Sequence, residues 1–197
     1  MDVIRELGLI QVYTGEGKGK TTAALGLGLR AAGHGFRVHM IQFMKGRGYA
    51  GELIAVKNMA PNFTLAQFGR ECRISSLIRD GHKKCEGCGD CFVKDRGAAK
   101  EDVELARKGL QQAWEYVNNK GCDILILDEI GNALRYGLVT TDQVMELIEK
   151  KPREMELVLT GRGVPQEIFA AADLVTEMKE IKHPYKNGVL SRRGIEY

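Results

Sequence analysis

The sequence predicts an α/β fold, a single domain with a mostly parallel sheet flanked by helices. Three observations carry this. Apolar runs of strand length alternate with helical periods along the chain. One run, CDILIL (122–127), is apolar without alternation, as in a strand buried on both faces. A glycine-rich stretch, TGEGKGKTT (14–22), joins the first apolar run to a helical pattern, the context in which a strand hands over to a helix around a phosphate. The length of 197 residues is enough for one domain with a real core.

The elements follow in order. The first strand is LIQVY (9–13), and the small-residue helix TTAALGLGLRAAGHG (21–35) follows the glycine-rich turn, with Gly33 and Gly35 to stop it. The second and third strands are RVHMIQF (37–43) and FTLAQF (63–68). Over 101–120, Val103, Ala106, Leu110, Ala113, Trp114 and Val117 share one helical face, and Gly121 ends the pattern. The strand at 122–127 comes next. A helix over 141–151 opens with Thr140 and Gln143 in capping-box spacing and stops before Pro152. The strand ELVLTG (156–161), a helix entered through Pro165 and a last strand at 174–179 complete the chain. No repeat and no linker divides it, so residues 1–197 read as one domain. Residues 69–97, rich in cysteine and charge, read as an insertion.

Composition narrows the function classes. At 44% hydrophobic and 28% charged, the chain is neither disordered nor fibrous. With 29 basic and 26 acidic residues the net charge is +3, too even for a nucleic-acid or membrane surface. No apolar run approaches the roughly 20 residues of a membrane span. MDVIRELGLIQVYTG lacks the layout of a signal peptide, which predicts a cytoplasmic protein. In that compartment five cysteines read as metal ligands, redox groups or buried thiols rather than as disulfides.

The stretch 14–22 has the chemistry of a P-loop. Glycines free backbone N–H groups to face phosphate oxygens, and the helix N-terminus adds a favourable dipole. Gly15, Glu16, Gly17, Lys18, Gly19, Lys20, Thr21 and Thr22 are therefore the candidate nucleotide contacts. Lys20 supplies a point charge, and the Thr21 hydroxyl can reach Mg²⁺. Thr14 stands where the strict pattern has its first glycine, so the loop is expected to be wound differently from that of an ordinary kinase or GTPase. Asp128 and Glu129 end the apolar run CDILIL, where acidic groups beside a P-loop hold Mg²⁺ directly or through water. These motifs point to a nucleoside triphosphate with Mg²⁺ and leave open which bond breaks.

Five blocks carry a more specific likeness: TGEGKGKTTAALGLGLRAAGHG, VHMIQFMKG, LILDEI, LVLTGRGVP and EIKHPYKNGVLSRRGIEY. In this order, over 8–197, they resemble the ATP:corrinoid adenosyltransferases of P-loop type. The resemblance implies a P-loop NTPase-like fold in which Co(I) of a reduced corrinoid attacks the 5′ carbon of ATP and triphosphate leaves. It implies a reversed ATP whose γ end lies in the loop, in keeping with Thr14. It also implies catalytic roles for Lys20, Thr21 and Glu129, with Mg²⁺ or Mn²⁺ held by Thr21 and Glu129 and supported by Asp128. Arg162, from TGRG, is implied on the nucleotide phosphates or ribose; it reads otherwise as a surface arginine. Arg30 is a further candidate contact, or a structural residue on its helix face. ATP and the corrinoid are the small-molecule substrates, a flavoprotein is the implied electron donor, and a homodimer the implied assembly.

The chain departs from that family in two places. The phenylalanine and tryptophan that displace the lower axial ligand of cobalt have no match in QFGRECRIS (67–75), where Phe68 and Ile74 are the nearest apolar candidates. The chain also begins about seven residues before its first strand, so the N-terminal helix of longer members is expected to be reduced or absent. Within the insertion, Cys85, Cys88 and Cys91 follow C-x2-C-x2-C spacing, with Cys72 and His82 nearby. Such thiolates can wrap one zinc ion or iron–sulfur centre, or serve as redox-active or free thiols. Cys122, opening a buried strand, reads as a core residue. Beside corrinoid adenosylation stand two other functions, a P-loop kinase or NTPase and a nucleotide- and metal-responsive sensor.

Overall fold

The structure is a computed structural model that describes residues 6–46, 48–91, 93 and 98–197. Its strands are β1 (Ile10–Thr14), β2 (Val38–Phe43), β3 (Phe63–Phe68), β4 (Ile124–Asp128), β5 (Glu156–Thr160) and β6 (Leu174–Glu177). They form one parallel sheet in the order β3-β2-β4-β5-β1-β6. Each strand predicted from an apolar run is present, with ends shifted by up to two residues. The uninterrupted runs mark the middle of the sheet, because every residue of β2, β4 and β5 is buried.

The helices divide between the two faces. On one side α1 (Lys20–Gly33) and α2 (Gly51–Lys57) set Ala24, Ala32 and Val56 against Val38, Met40, Phe63, Ile124, Ile126 and Val158. On the other lie α4 (Lys100–Asn119), α5 (Ile130–Arg135), α6 (Thr141–Lys150) and α7 (Gln166–Ala171). They cover Ile41, Phe43, Leu125, Leu127, Leu157 and Leu159. Alternate strand residues thus enter opposite cores, as the two-residue period of a strand requires. Thr140 caps α6 as its spacing predicts, its hydroxyl accepting from the Gln143 amide at 3.2 Å while the Gln143 side chain accepts from the Thr140 amide.

Two expectations need correction. Val103 is 41% exposed and does not belong to the inner face of α4. That face runs through Asp102, Ala106, Gly109, Leu110, Ala113 and Val117, and Val103 lies about 100° round the helix from Asp102. The last strand ends at Glu177 rather than 179, because the Met178 backbone turns to the glycine-rich loop: its amide donates to Thr14 and its carbonyl accepts from Gly17 at 2.6 Å. Between β3 and α4 the insertion holds one short helix, α3 (Ser75–Arg79), and otherwise lacks regular structure over its described residues. Phe92 and residues 94–97 of that insertion, like residues 1–5 and Arg47, lie outside the described residues. Among the described residues no helix is long and apolar enough to cross a membrane.

Candidate active site

The carboxyl ends of β1, β5, β4 and β2 lie side by side, and the loops leaving them converge. In an open parallel sheet, ligands bind at that edge. From β1 the loop 14–19 curls over into α1, with Gly19 at φ 119° as the helix N-cap. Only glycine fits at position 17, since a Cβ there would stand 2.6 Å from the Met178 carbonyl oxygen. The Lys20 ammonium rests inside the curl, donating to the carbonyls of Gly15 at 2.6 Å and Gly17 at 2.7 Å. Burial first, and then the charge of Arg162, hold the Lys20 pKa below its ordinary value.

Opposite the loop stands Asp128, fully buried at the end of β4. Its Oδ1 accepts from the hydroxyls of Thr21 at 2.8 Å and Thr160 at 2.6 Å. Its Oδ2 accepts from the Lys45 ammonium at 2.7 Å and the Gln42 amide at 3.1 Å. Burial works to raise the Asp128 pKa, but the charge and hydrogen bond of Lys45, with the two hydroxyls, carry it below the usual carboxylate value. Glu129, in the left-handed conformation at φ 62°, is the N-cap residue of α5; its amide donates to Thr160 and its carboxylate accepts from Asn132 at 2.6 Å. Burial, followed by the negative charge of Asp128, raises its pKa.

The Lys45 ammonium tests whether a metal ion suits this place. It also donates to the Thr21 hydroxyl at 3.1 Å, so a cationic group already sits between that hydroxyl and a buried carboxylate. The same oxygens are hard donors of the kind Mg²⁺ selects. Lys45, Gln42 and Thr160 were not singled out by the sequence. The first two belong to the quoted block VHMIQFMKG and the third to LVLTGRGVP, but a polar residue at a strand end carries no local signature.

The other candidates divide. Arg162 arches over the loop, its guanidinium donating to the Glu16 carbonyl at 3.1 Å and pairing with the Glu16 carboxylate at 3.3 Å. The Lys18 ammonium is turned to the Ile195 carbonyl, and Thr22 points outward on α1. Arg30 is not brought to the loop: it lies ten residues beyond Lys20 on α1, about 15 Å along the axis. Phe68 packs into the core cluster against α4, and Ile74 is the half-buried N-cap residue of α3. Cys72 and Cys85 are half-buried, Cys88 is exposed and Cys91 is buried. Among the described residues no three His, Cys, Asp or Glu side chains are gathered as a metal-binding group. Cys122 is buried in the core, where burial pushes its thiol up to about 12.

Sheet order, loop and facing carboxylate define an α/β protein of the P-loop class. A solved structure agrees on the fold: the flagellar accessory protein FlaH from Methanocaldococcus jannaschii superposes with a TM-score of 0.53 at 14% identity, covering 87% of this chain and 71% of that one. Within the class, the chain belongs to the ATP:corrinoid adenosyltransferase family (BtuR/CobO/CobP), whose profile matches residues 6–197. It is 34% identical over 193 residues to a corrinoid adenosyltransferase of Sinorhizobium sp, covering 98% of this chain and 81% of that protein. To a corrinoid adenosyltransferase of Escherichia coli K12 it is 30% identical over 192 residues, covering 98% and 87%.

Proposed function

We propose that this protein transfers the 5′-deoxyadenosyl group of ATP to the Co(I) centre of a reduced corrinoid. The bond from the 5′ carbon to its oxygen breaks as the cobalt–carbon bond forms, and triphosphate leaves with the electron pair. The observation that carries this reading is the meeting of Lys20, Thr21 and Asp128 at one sheet edge, in a chain of the adenosyltransferase family.

Co(I) is a powerful nucleophile and needs no general base. The protein has to align the attack, offset the charge gathering on the leaving oxygens and keep water out. The amides of residues 15–22 and the Lys20 ammonium suit the second task, once Lys20 exchanges its loop carbonyls for phosphate oxygens. Thr21, Asp128 and Glu129 would hold Mg²⁺ or Mn²⁺, which supplies further neutralisation of the triphosphate. Arg162, already over the loop, is placed to contact the phosphates. Family resemblance adds a flavoprotein electron donor and a homodimer to this reading.

The test is anaerobic incubation with MgATP and chemically reduced corrinoid, followed by phosphorus NMR and optical detection of the light-sensitive alkylated product. Inorganic triphosphate is expected to accumulate in step with that product. ADP as the main product would reject adenosyl transfer and favour phosphoryl chemistry. ATP binding altered by metal without turnover would favour a sensor.

A further inference from the structure

We propose that Asn132 is a positioning residue of the nucleotide site: it holds one oxygen of Glu129, so that the other is offered to the metal, and it ties the Arg162 turn to the same helix. The inference rests on the reading of Glu129 as a metal-binding carboxylate, and not on which bond of ATP breaks.

Glu129 enters the site from a backbone that needs support. At φ 62° and ψ 19° it is left-handed, a conformation rare for a residue with a side chain. Its amide is tied to the end of β5 through the Thr160 hydroxyl at 3.0 Å. Asn132, about one turn further along α5, donates from Nδ2 to the Glu129 Oε2 at 2.6 Å. Among the described residues no hydrogen bond engages Oε1, which leaves it as the oxygen for a cation. Carboxylates that ligate a metal are oriented by such hydrogen bonds, and losing one typically costs about ten- to a hundredfold in metal affinity.

The other end of the same side chain fixes the turn after β5. Asn132 Oδ1 accepts from the Arg162 backbone amide at 3.1 Å. A carboxylate accepts and a backbone amide donates, so the two partners select one orientation of the Asn132 amide group. The backbones also meet closely. A Cβ at Gly131 would stand 2.8 Å from the Arg162 carbonyl oxygen, and one at Gly161 would stand 2.6 Å from the Gly131 nitrogen. The first turn of α5 and the turn 161–163 therefore leave each other little room to move independently. From that turn Arg162 reaches Glu16 of the phosphate loop, in an exposed pair that a phosphate can replace at little cost. Asn132 thus stands between the group expected on the metal and the group expected on the phosphates.

The test is ATP binding to the full chain by calorimetry, with Mg²⁺ and with a chelator. The factor by which Mg²⁺ tightens ATP reports on Glu129, and binding without metal reports on Arg162. Asn132→Leu, similar in shape but without a polar atom, should lower the Mg²⁺ factor by about tenfold or more. Asn132→Ala should do the same without adding bulk. Introduced into Glu129→Ala, Asn132→Leu should leave the factor unchanged within about twofold, because it acts through that carboxylate. Without metal, Asn132→Leu should weaken ATP several-fold in the parent and not in Arg162→Ala. The electron paramagnetic resonance spectrum of Mn²⁺ bound with ATP should also differ between the parent and Asn132→Leu, a signature that lost stability alone does not give. An unchanged Mg²⁺ factor in both Asn132 variants would overturn the positioning role, as would a further loss on adding Asn132→Leu to Glu129→Ala. An equal metal-free loss with and without Arg162→Ala would overturn the tie to that turn. A parent whose ATP affinity Mg²⁺ does not raise would overturn the metal reading itself, and this role with it.

Discussion

Asp128 accepts from four side chains that come from four different elements or loops, and it is shielded from water. A buried carboxylate stripped of its cation is strongly destabilising, and Lys45 is the only side chain in this set that brings a full positive charge. Lys45→Met is therefore expected to lower the unfolding free energy by about 3 kcal/mol, the low end for breaking a buried pair, since Lys45 keeps 23% exposure. MgATP should restore more of the melting temperature in that variant than in the parent, because it brings a cation to the same oxygens. Equal shifts in both proteins would separate Lys45 from the metal position. Lys20→Ala and Thr21→Ala should each slow adenosyl transfer by at least about 10²-fold at unchanged fold, the loss of one donor to a developing anion. Near-normal turnover of the Lys20 variant would remove the phosphate role of the loop. Lys20, Thr21 and Asp128 could be read from sequence because a glycine-rich turn and an acid-terminated apolar run are local patterns. Lys45 and Thr160 could not, because their meaning lies in adjacency across separate strands.

Helix α4 shows how packing refines a periodic pattern. Its small residues Ala106, Gly109 and Ala113 let it approach the sheet, where Phe43 and Phe68 lie against Gly109. Apolar periodicity alone carried the face as far as the exposed Val103 and missed, on its other side, the inward Asp102 that Arg70 pairs with. Short helices were illegible for another reason. Only Val56 is buried in α2, and α5 is six residues long, so neither displays a full apolar period. Beside α4, His39 stacks on Tyr116 at 3.8 Å between ring centroids, with its ring nitrogens bonded to Thr64 and Gln112. Burial lowers its pKa below the ordinary 6.5, and the Gln112 hydrogen bond opposes this only in part. The unfolded chain then takes up the proton first. His39 should leave stability intact above about pH 6.5 and erode it as pH falls, by up to about 1.4 kcal/mol per unit for that one proton. Chemical denaturation of the parent and of His39→Gln between pH 5 and 7 checks this, the variant being expected to show the shallower slope.

The molecule divides its labour between a sheet edge and two less regular segments that lie over it. The tail after β6 meets first the insertion, where Arg193 donates to the Arg79 carbonyl at 2.9 Å, and then the phosphate loop, where Lys18 donates to the Ile195 carbonyl. Tyr197 then sets its ring edge-on to Tyr49, 5.0 Å between centroids. The insertion is therefore joined to a segment more than a hundred residues away, a contact that no local pattern in either stretch reveals. Arg193→Ala is expected to speed tryptic cleavage at Lys83 and Lys84 several-fold without moving the melting temperature, since the contact is exposed and lies outside both core clusters. Unchanged cleavage would show that the tail does not restrain the insertion.

The place of β1 in the sheet has a consequence for the birth of the molecule. Its two neighbours are β5, which pairs Ile10 with Leu157, and β6, which pairs Gln11 with Leu174. As the chain leaves the ribosome, Ile10–Thr14 emerges early but has no strand to join until β5 and β6 have been made. At ordinary synthesis speeds that wait is on the order of ten to thirty seconds, during which an apolar strand stands with open edges. Pairings this distant in sequence also form slowly once they become possible. The phosphate loop, strung between β1 and α1, can take its shape only when that late pairing closes. Nascent chains arrested before β5 would thus be unable to retain nucleotide and would be natural clients of chaperones that shield unpaired strands.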